Sequence, residues 1–287
     1  MRRLPHLYLC TTYKNVIVAK EDIMKLGVIG LGNMASAMIG GIIKAGLFAP
    51  SDISGSDASA SQREKAENSL GITTCDSNGA AVDKCDYVIL AVKPQVYENV
   101  LPEIRSAMKK DQVIISIAPG KTIAYLEERL IKGAKIVRIM PNTPALVGEG
   151  CTGVCRNDNV TDEEFAFVMK LLGGFGKAFE VKENQMDAVV AVSGSSPAYV
   201  FMLIDAMADG AVAEGLDRAT AISMASQAVM GSAKMVLETG MHPGQLKDMV
   251  CSPAGTTIDA VAVLEDGGFR ASVIDAMSAC AEKSRKI

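Results

Sequence analysis

The run Gly27-Val28-Ile29-Gly30-Leu31-Gly32-Asn33-Met34-Ala35 constrains this chain more than any other. A short apolar stretch, Lys25–Gly30, leads into it as a strand, and Met34–Gly46, rich in Ala, Met and Ile, leads out of it as a helix. Each small residue has a physical task. Gly30 allows the tight turn, Gly32 lets a pyrophosphate approach the backbone, and Ala35, in the third glycine's place, lets helix and strand pack closely. The helix then presents its free N–H groups to the phosphates. The spacing says little by itself in a chain with 26 glycines. Its place between a strand and a helix, with a second strand at Asp52–Asp57, makes it a dinucleotide-binding turn.

Asp57 ends that second strand. An acid there accepts hydrogen bonds from the adenosine ribose hydroxyls and repels a 2′-phosphate, which favours NADH. Ser54, Ser56, Ser59, Ser61 and Arg63 crowd the same turn and could hold a phosphate, and Asp57 could simply cap the next helix. The cofactor is therefore NADPH or NADH. Strands continue to alternate with helices at Ile72–Cys75, Tyr87–Val92, Val113–Ala118, Lys135–Met140 and, as a closing strand, Ala178–Val181. Tyr87–Val92 is apolar throughout, as a strand covered on both faces must be. The pattern predicts an α/β Rossmann domain over residues 24–181, with a doubly wound, mostly parallel sheet and ligands outside the carboxyl ends of its strands. Proline in Val92-Lys93-Pro94-Gln95, Ala118-Pro119-Gly120 and Met140-Pro141-Asn142-Thr143-Pro144 gives the strand-end loops a rigid shape.

From Gln185 onward strand signals vanish, and an all-α C-terminal domain is expected over 182–287. Ala198–Leu216 is apolar around most of its circumference, with only Asp205, Asp209 and Glu214 charged, so it must be covered on several sides. So thin a helical domain is most simply completed by a second copy, giving a homodimer; a bundle satisfied within one chain is the alternative. Between two helices stands Ser252-Pro253-Ala254-Gly255-Thr256-Thr257. Pro253 and Gly255 break the first helix, Ile258–Leu264 resumes helical spacing, and Thr256 or Thr257 is expected to cap the new helix while neighbouring N–H groups stay free for an anion. An ordinary helix start and a substrate site read alike at this level.

A net charge of −4 gives no reason to expect nucleic acid. The longest uncharged stretch, Ala188–Ile204, is too short and too polar for a membrane span. The 7 cysteines are scattered without zinc-site spacing and read as reduced thiols of a cytoplasmic protein, and no metal is expected. His242 precedes Pro243 and shapes a turn; it is not taken as an acid. The segment before Met24 follows no helix or strand period, and Lys20-Glu21-Asp22-Ile23 can be encoded by a purine-rich ribosome-binding sequence. Residues 1–23 are therefore expected to be a translated leader, the rival being an N-terminal arm that pairs with a neighbour.

Six segments together resemble pyrroline-5-carboxylate reductase: GVIGLGNMASAMIGG (27–41), AVKPQ (91–95), SIAPG (116–120), RIMPNTPALVGEG (138–150), SGSSPAYVF (193–201) and HPGQLKDMVCSPAGTTIDAV (242–261). The resemblance covers both halves in order and implies reduction of 1-pyrroline-5-carboxylate, a cyclic imine carboxylate, to L-proline by hydride transfer from NAD(P)H. It implies dimers through interlocked helical domains and further assembly, up to a decamer of dimers. By the resemblance, Ile29, Gly30, Leu31, Gly32, Asn33, Met34 and Ala35 hold the pyrophosphate, and Asp57 and Asn78 border the adenosine. Ala91, Val92, Lys93, Pro94, Ile117, Ala118 and Pro119 line the nicotinamide side, with Asn142 nearby. Ser252, Gly255, Thr256 and Thr257 hold the substrate carboxylate, Glu183 borders that cleft, and Thr257 is the candidate for a hydrogen bond to the imine nitrogen. Many members carry Gly at the place of Ala254 and Asn at that of Met249. The added methyl predicts an ordinary backbone conformation at Ala254, because a positive φ would be costly. Two rivals remain at this level: a reductase of another cyclic imine acid, such as a six-membered ring, and a non-catalytic dinucleotide-binding sensor.

Overall fold

The computed structural model describes residues 24–287, so the reading of 1–23 as a leader falls outside the described residues. In chain order the strands are β1 (Leu26–Ile29), β2 (Ile53–Ser56), β3 (Thr73–Cys75), β4 (Tyr87–Leu90), β5 (Val113–Ser116), β6 (Lys135–Met140), β7 (Gly150–Arg156) and β8 (Gly176–Glu180). They form one sheet in the order β3-β2-β1-β4-β5-β6-β7-β8. Pairing is parallel from β3 to β6, antiparallel between β6 and β7, and parallel again between β7 and β8. The strand order reverses direction beside β1, the switch point at which open α/β sheets bind ligands.

The central strands send alternate side chains to opposite layers. Leu26, Val28, Tyr87, Ile89, Val113, Ile115, Val137 and Ile139 face a layer built by α1 (Asn33–Lys44), α2 (Ala60–Leu70) and α6 (Asp162–Leu172). Ile29, Val88, Leu90, Ile114, Ile136 and Met140 face α3 (Asn78–Val82), α4 (Tyr97–Ala107), α5 (Ile123–Arg129) and the short α7 (Met186–Val189). Both faces are dry, which is why these strands read as continuous apolar runs.

Two expectations need correction. The closing strand is Gly176–Glu180, and a strand absent from the sequence reading, β7, runs between it and β6. Its sequence, GCTGVCR, carries two glycines and a threonine and has no apolar run to mark it. Pairing on both edges makes it a strand. Gly153 is required there, since a Cβ would come within 2.6 Å of the Val189 Cγ1 methyl of α7.

Helices fill the rest of the chain: α8 (Ser196–Ala213), α9 (Arg218–Thr239), α10 (Pro243–Val250), α11 (Thr256–Asp266) and α12 (Phe269–Ser284). Little of this layer is covered by its own chain. Ala208 is the one buried residue of α8, and α10 and α11 have none. Phe201, Met202, Met224, Met230, Leu237 and Val263 are all more than half exposed. The helical run Glu183–Ala213, 31 residues, is longer than the uncharged stretch seen in the sequence, and by length and composition alone it could cross a membrane. It carries Ser193, Ser195, Asp205 and Asp209 along its length.

Gly153→Ala should lower stability by about 1–3 kcal/mol, the range for overpacking a filled site. A thermal melt by circular dichroism checks this; an unchanged midpoint would mean that β7 and α7 are not in tight contact.

Candidate active site

The β1–α1 turn is shaped by Gly30, whose φ of +90° favours glycine. No side chain fits there either, since a Cβ would lie 2.7 Å from the Ala91 carbonyl oxygen. Gly32 caps α1 without any side-chain hydrogen bond, and a Cβ added to it would meet no protein atom within 4 Å. The start of α1 therefore offers uncapped N–H groups to an open face at the sheet's switch point, which fits a dinucleotide pyrophosphate.

Asp57 lies just past β2 and is held by the turn itself. Its Oδ2 accepts the Leu31 N–H at 2.8 Å and its Oδ1 accepts the Ser59 N–H at 2.8 Å. Ser59 and Ser61 share a hydroxyl contact of 2.9 Å, and Arg63 Nη1 donates to the Asp57 carbonyl at 2.6 Å. Two hydroxyls and a guanidinium thus converge beside the carboxylate. Ser56 points elsewhere: it is buried and donates to Asn78 Oδ1 at 2.7 Å, while Asn78 Nδ2 donates to Glu103 at 2.8 Å.

The two loops expected on the nicotinamide side leave adjacent strands, β4 and β5. Tyr97, buried in α4, ties their ends together. Its hydroxyl donates to the Leu90 carbonyl at 3.1 Å and contacts Ser116 Oγ at 2.9 Å. Burial pushes its pKa up, so the phenol stays protonated. The sequence reading missed this residue, since one tyrosine on an amphipathic helix carries no signal of its partner.

Glu183 and Asn142 make protein contacts that the sequence did not anticipate. Glu183 Oε1 accepts the Ile123 N–H at 2.7 Å and Arg138 Nη1 at 3.0 Å. Arg138 lies within β6, and its side chain is only 7% exposed. A charged residue inside the apolar run KIVRIM was the signal that a buried partner would be needed. Glu183 borders a cavity of about 940 Å³ lined with Ile123, Glu127, Cys155, Arg156 and Asn157, to which residues 252–257 do not contribute. Burial, and then the Glu183 carboxylate, push the Cys155 thiol up to about 11, so it stays protonated at neutral pH. Asn142 is buried, with Nδ2 donating to Ser193 O at 2.9 Å and Oδ1 accepting Cys151 N–H at 2.8 Å.

The Ser252–Gly255 segment is a tight turn. Gly255 N–H reaches Ser252 O at 3.0 Å, with Pro253 at the second position and Ala254 at the third. Ala254 has φ +54°, so the expectation of an ordinary conformation there was wrong. A turn with proline second and a left-handed third residue is a type II turn, and reversing the chain before α11 requires that third residue whatever its side chain. The capping expectation is also corrected: Gly255 is the N-cap, without a side-chain bond, and Thr256 and Thr257 lie inside the first turn. Ser252, Thr256 and Thr257 are exposed, and among the described residues no hydrogen bond joins 251–257 to the cofactor sheet. His242 does shape a turn, accepting the Gly244 N–H at 3.1 Å and capping α10.

Comparison with known proteins places both halves. Residues 183–287 match the family model for pyrroline-5-carboxylate reductase dimerisation, and residues 25–120 match that for NADP oxidoreductase coenzyme F420-dependent. The pyrroline-5-carboxylate reductase of Escherichia coli (strain K12) is 51% identical over 263 residues, 92% of this chain and 98% of that one. The chain belongs to the pyrroline-5-carboxylate reductase family. The reductase of Methanosarcina acetivorans is 43% identical over 92% of this chain and 97% of its own. The crystal structure of Plasmodium falciparum pyrroline carboxylate reductase with NADP bound superposes with a TM-score of 0.83 at 35% identity, covering 92% of this chain and 97% of that one. The Rossmann domain followed by a helical dimerisation domain is thus the architecture of this reductase family.

Two substitutions probe the site's ends. Arg63→Ala should raise KM for NADPH about tenfold, the loss of one charge-assisted hydrogen bond, and leave KM for NADH nearly unchanged. Equal effects on both cofactors in steady-state titrations would remove Arg63 from the 2′ position. Ala254→Gly should relieve about 1–2 kcal/mol of left-handed strain, against about 0.4–1 kcal/mol lost to a freer unfolded chain. Its denaturation midpoint should therefore rise slightly; a lower midpoint would mean that the Ala254 methyl is a packing contact.

Proposed function

We infer that this chain reduces 1-pyrroline-5-carboxylate to L-proline with NAD(P)H, as the last step of proline biosynthesis. The observation that carries the substrate half is the uncapped start of α11, ringed by the exposed hydroxyls of Ser252, Thr256 and Thr257. Backbone N–H groups and hydroxyls of this kind neutralise a carboxylate without a charged side chain. Bound NAD(P)H supplies the hydride. Ile29 to Ala35 hold its pyrophosphate, Asp57 and Asn78 border its adenosine, and Ala91–Pro94 with Ile117–Pro119 line its nicotinamide side, near Asn142. Protonation of the ring nitrogen makes the imine carbon electrophilic, and the Thr257 hydroxyl accepts a hydrogen bond from that N–H. The protein's main contribution is to place two planar rings face to face.

In this reading residues 24–181 carry the cofactor and 182–287 carry the substrate turn and the dimer contact, with Glu183 at the border. The open turn and the uncovered apolar faces of α8 and α9 favour a dimer in which a second copy closes the site. They also favour a partner subunit over lipid as the cover for Glu183–Ala213. Further assembly to a decamer of dimers and a cytoplasmic location belong to the same reading.

Loss of reduced-cofactor absorbance on adding pyrroline-5-carboxylate tests it, with piperideine carboxylate as the competing substrate. Thr257→Ala should turn over about tenfold to a thousandfold more slowly, the range for losing one positioned contact. Wild-type inactivity with both cofactors would remove the assignment, and faster turnover of the six-membered imine would reassign the substrate.

A further inference from the structure

Pro197 deprives a helix of a donor. In a continuous α-helix the Ser193 carbonyl would accept the N–H of residue 197, and proline has none. Over Val190–Gly194 the chain widens into a π turn, in which Ser195 N–H reaches Val190 O at 2.8 Å. Ala198 N–H goes to Ser195 O at 3.1 Å. The Ser193 carbonyl is passed over by both neighbours, and a buried polar group of this kind must find a partner elsewhere. It takes Nδ2 of Asn142, from the loop after β6. The same side chain's Oδ1 holds Cys151 N–H at the start of β7, so Asn142 joins the sheet to the helical domain with both ends of one amide. Glu183 makes a second tie at the domain entrance, gripping Arg138 in β6 and the first N–H of α5, directly after the Ile117–Pro119 loop.

We propose that Asn142 is a positioning residue: through the Ser193 carbonyl, and with the Glu183–Arg138 pair as the second point, it fixes the angle at which the helical domain leaves the cofactor sheet. The assignment rests on the reductase reading above, and it gives Asn142 a role in hydride transfer without contact to the cofactor. Two ties at separate points leave only rotation about the line between them, and the close packing of Val189 on Gly153 blocks that rotation. One is anchored in the loop after β6, the other in β6 itself and at the start of α5, which follows β5.

The test compares wild type, Asn142→Ala and the double variant Asn142→Ala with Pro197→Ala. Measured are kcat and KM for pyrroline-5-carboxylate, the NADPH Kd by fluorescence, and Tm. Asn142→Ala should lose about tenfold to a hundredfold in kcat, the scale of a small misplacement, with the NADPH Kd within about twofold of wild type. Adding Pro197→Ala returns a backbone donor to the Ser193 carbonyl but not the tether to the sheet. Tm should recover while kcat stays low. Recovery of kcat together with Tm would overturn the assignment, because Asn142 would then serve only the carbonyl. A weakening of the NADPH Kd by about tenfold in Asn142→Ala would overturn it too, by making Asn142 a cofactor contact. If Asn142→Ala does not fold, Asn142→Asp, which keeps an acceptor for Cys151 N–H and sets a carboxylate oxygen against the Ser193 carbonyl in place of the donor, is read by the same criteria. An active wild type whose kcat is unmoved by the substitution sinks this assignment alone; an inactive wild type sinks the reductase reading and this assignment with it.

Discussion

Four adjacent parallel strands, β1, β4, β5 and β6, are buried on both faces, and most of what this molecule can do follows from that. A parallel pair needs a crossover, and the crossovers supply the helices that dry both faces. The same arrangement gathers every strand end of one polarity along a single edge. The loops after β1, β2, β4, β5 and β6 therefore emerge together, and the reversal of strand order beside β1 opens a crevice among them. A dinucleotide is long enough to run along such an edge. Along β1, β4 and β5 every side chain is buried, so those strands can offer polar groups to a ligand only at their ends.

The edge is held in shape by a few buried and half-buried polar groups. Tyr97 ties the ends of β4 and β5. Asp57 holds the glycine turn from β2 by accepting the Leu31 N–H. Arg138, though inside the sheet, is neutralised by Glu183 at the entrance of the helical domain. Removing one partner of such a pair is far more damaging than removing both, since a buried charge left alone has lost its water without replacement. The polar groups around this site thus do two tasks: some are left open for ligands, and others are used up in holding the loops that carry the open ones.

The helical domain obeys a different rule. Its helices are apolar on more faces than a single chain can cover, and the Ser252–Thr257 turn stands in the open. Membership of a family with a dimerisation domain at residues 183–287 makes sense of both facts at once. In the proposed dimer a second copy packs on the exposed faces and encloses the Ser252–Thr257 turn.

The sequence by itself determined the alternation of strands and helices, the glycine turn at Gly30 and Gly32, the helical second half and the family. Those features are written in local periodicity and in short runs of small residues, which act within a few positions of where they stand. β7 was not legible, because GCTGVCR becomes a strand only by pairing with β6 and β8. The left-handed Ala254 was not legible either, since the turn's closure sets that φ against the residue's own preference. Asn142 and Glu183 were found as residues but not as ties: their partners, Ser193 and Arg138, lie 51 and 45 positions away. Which carbonyl a proline leaves without a donor can be read from the chain, but which side chain answers it is decided only when the sheet and the helices are brought together.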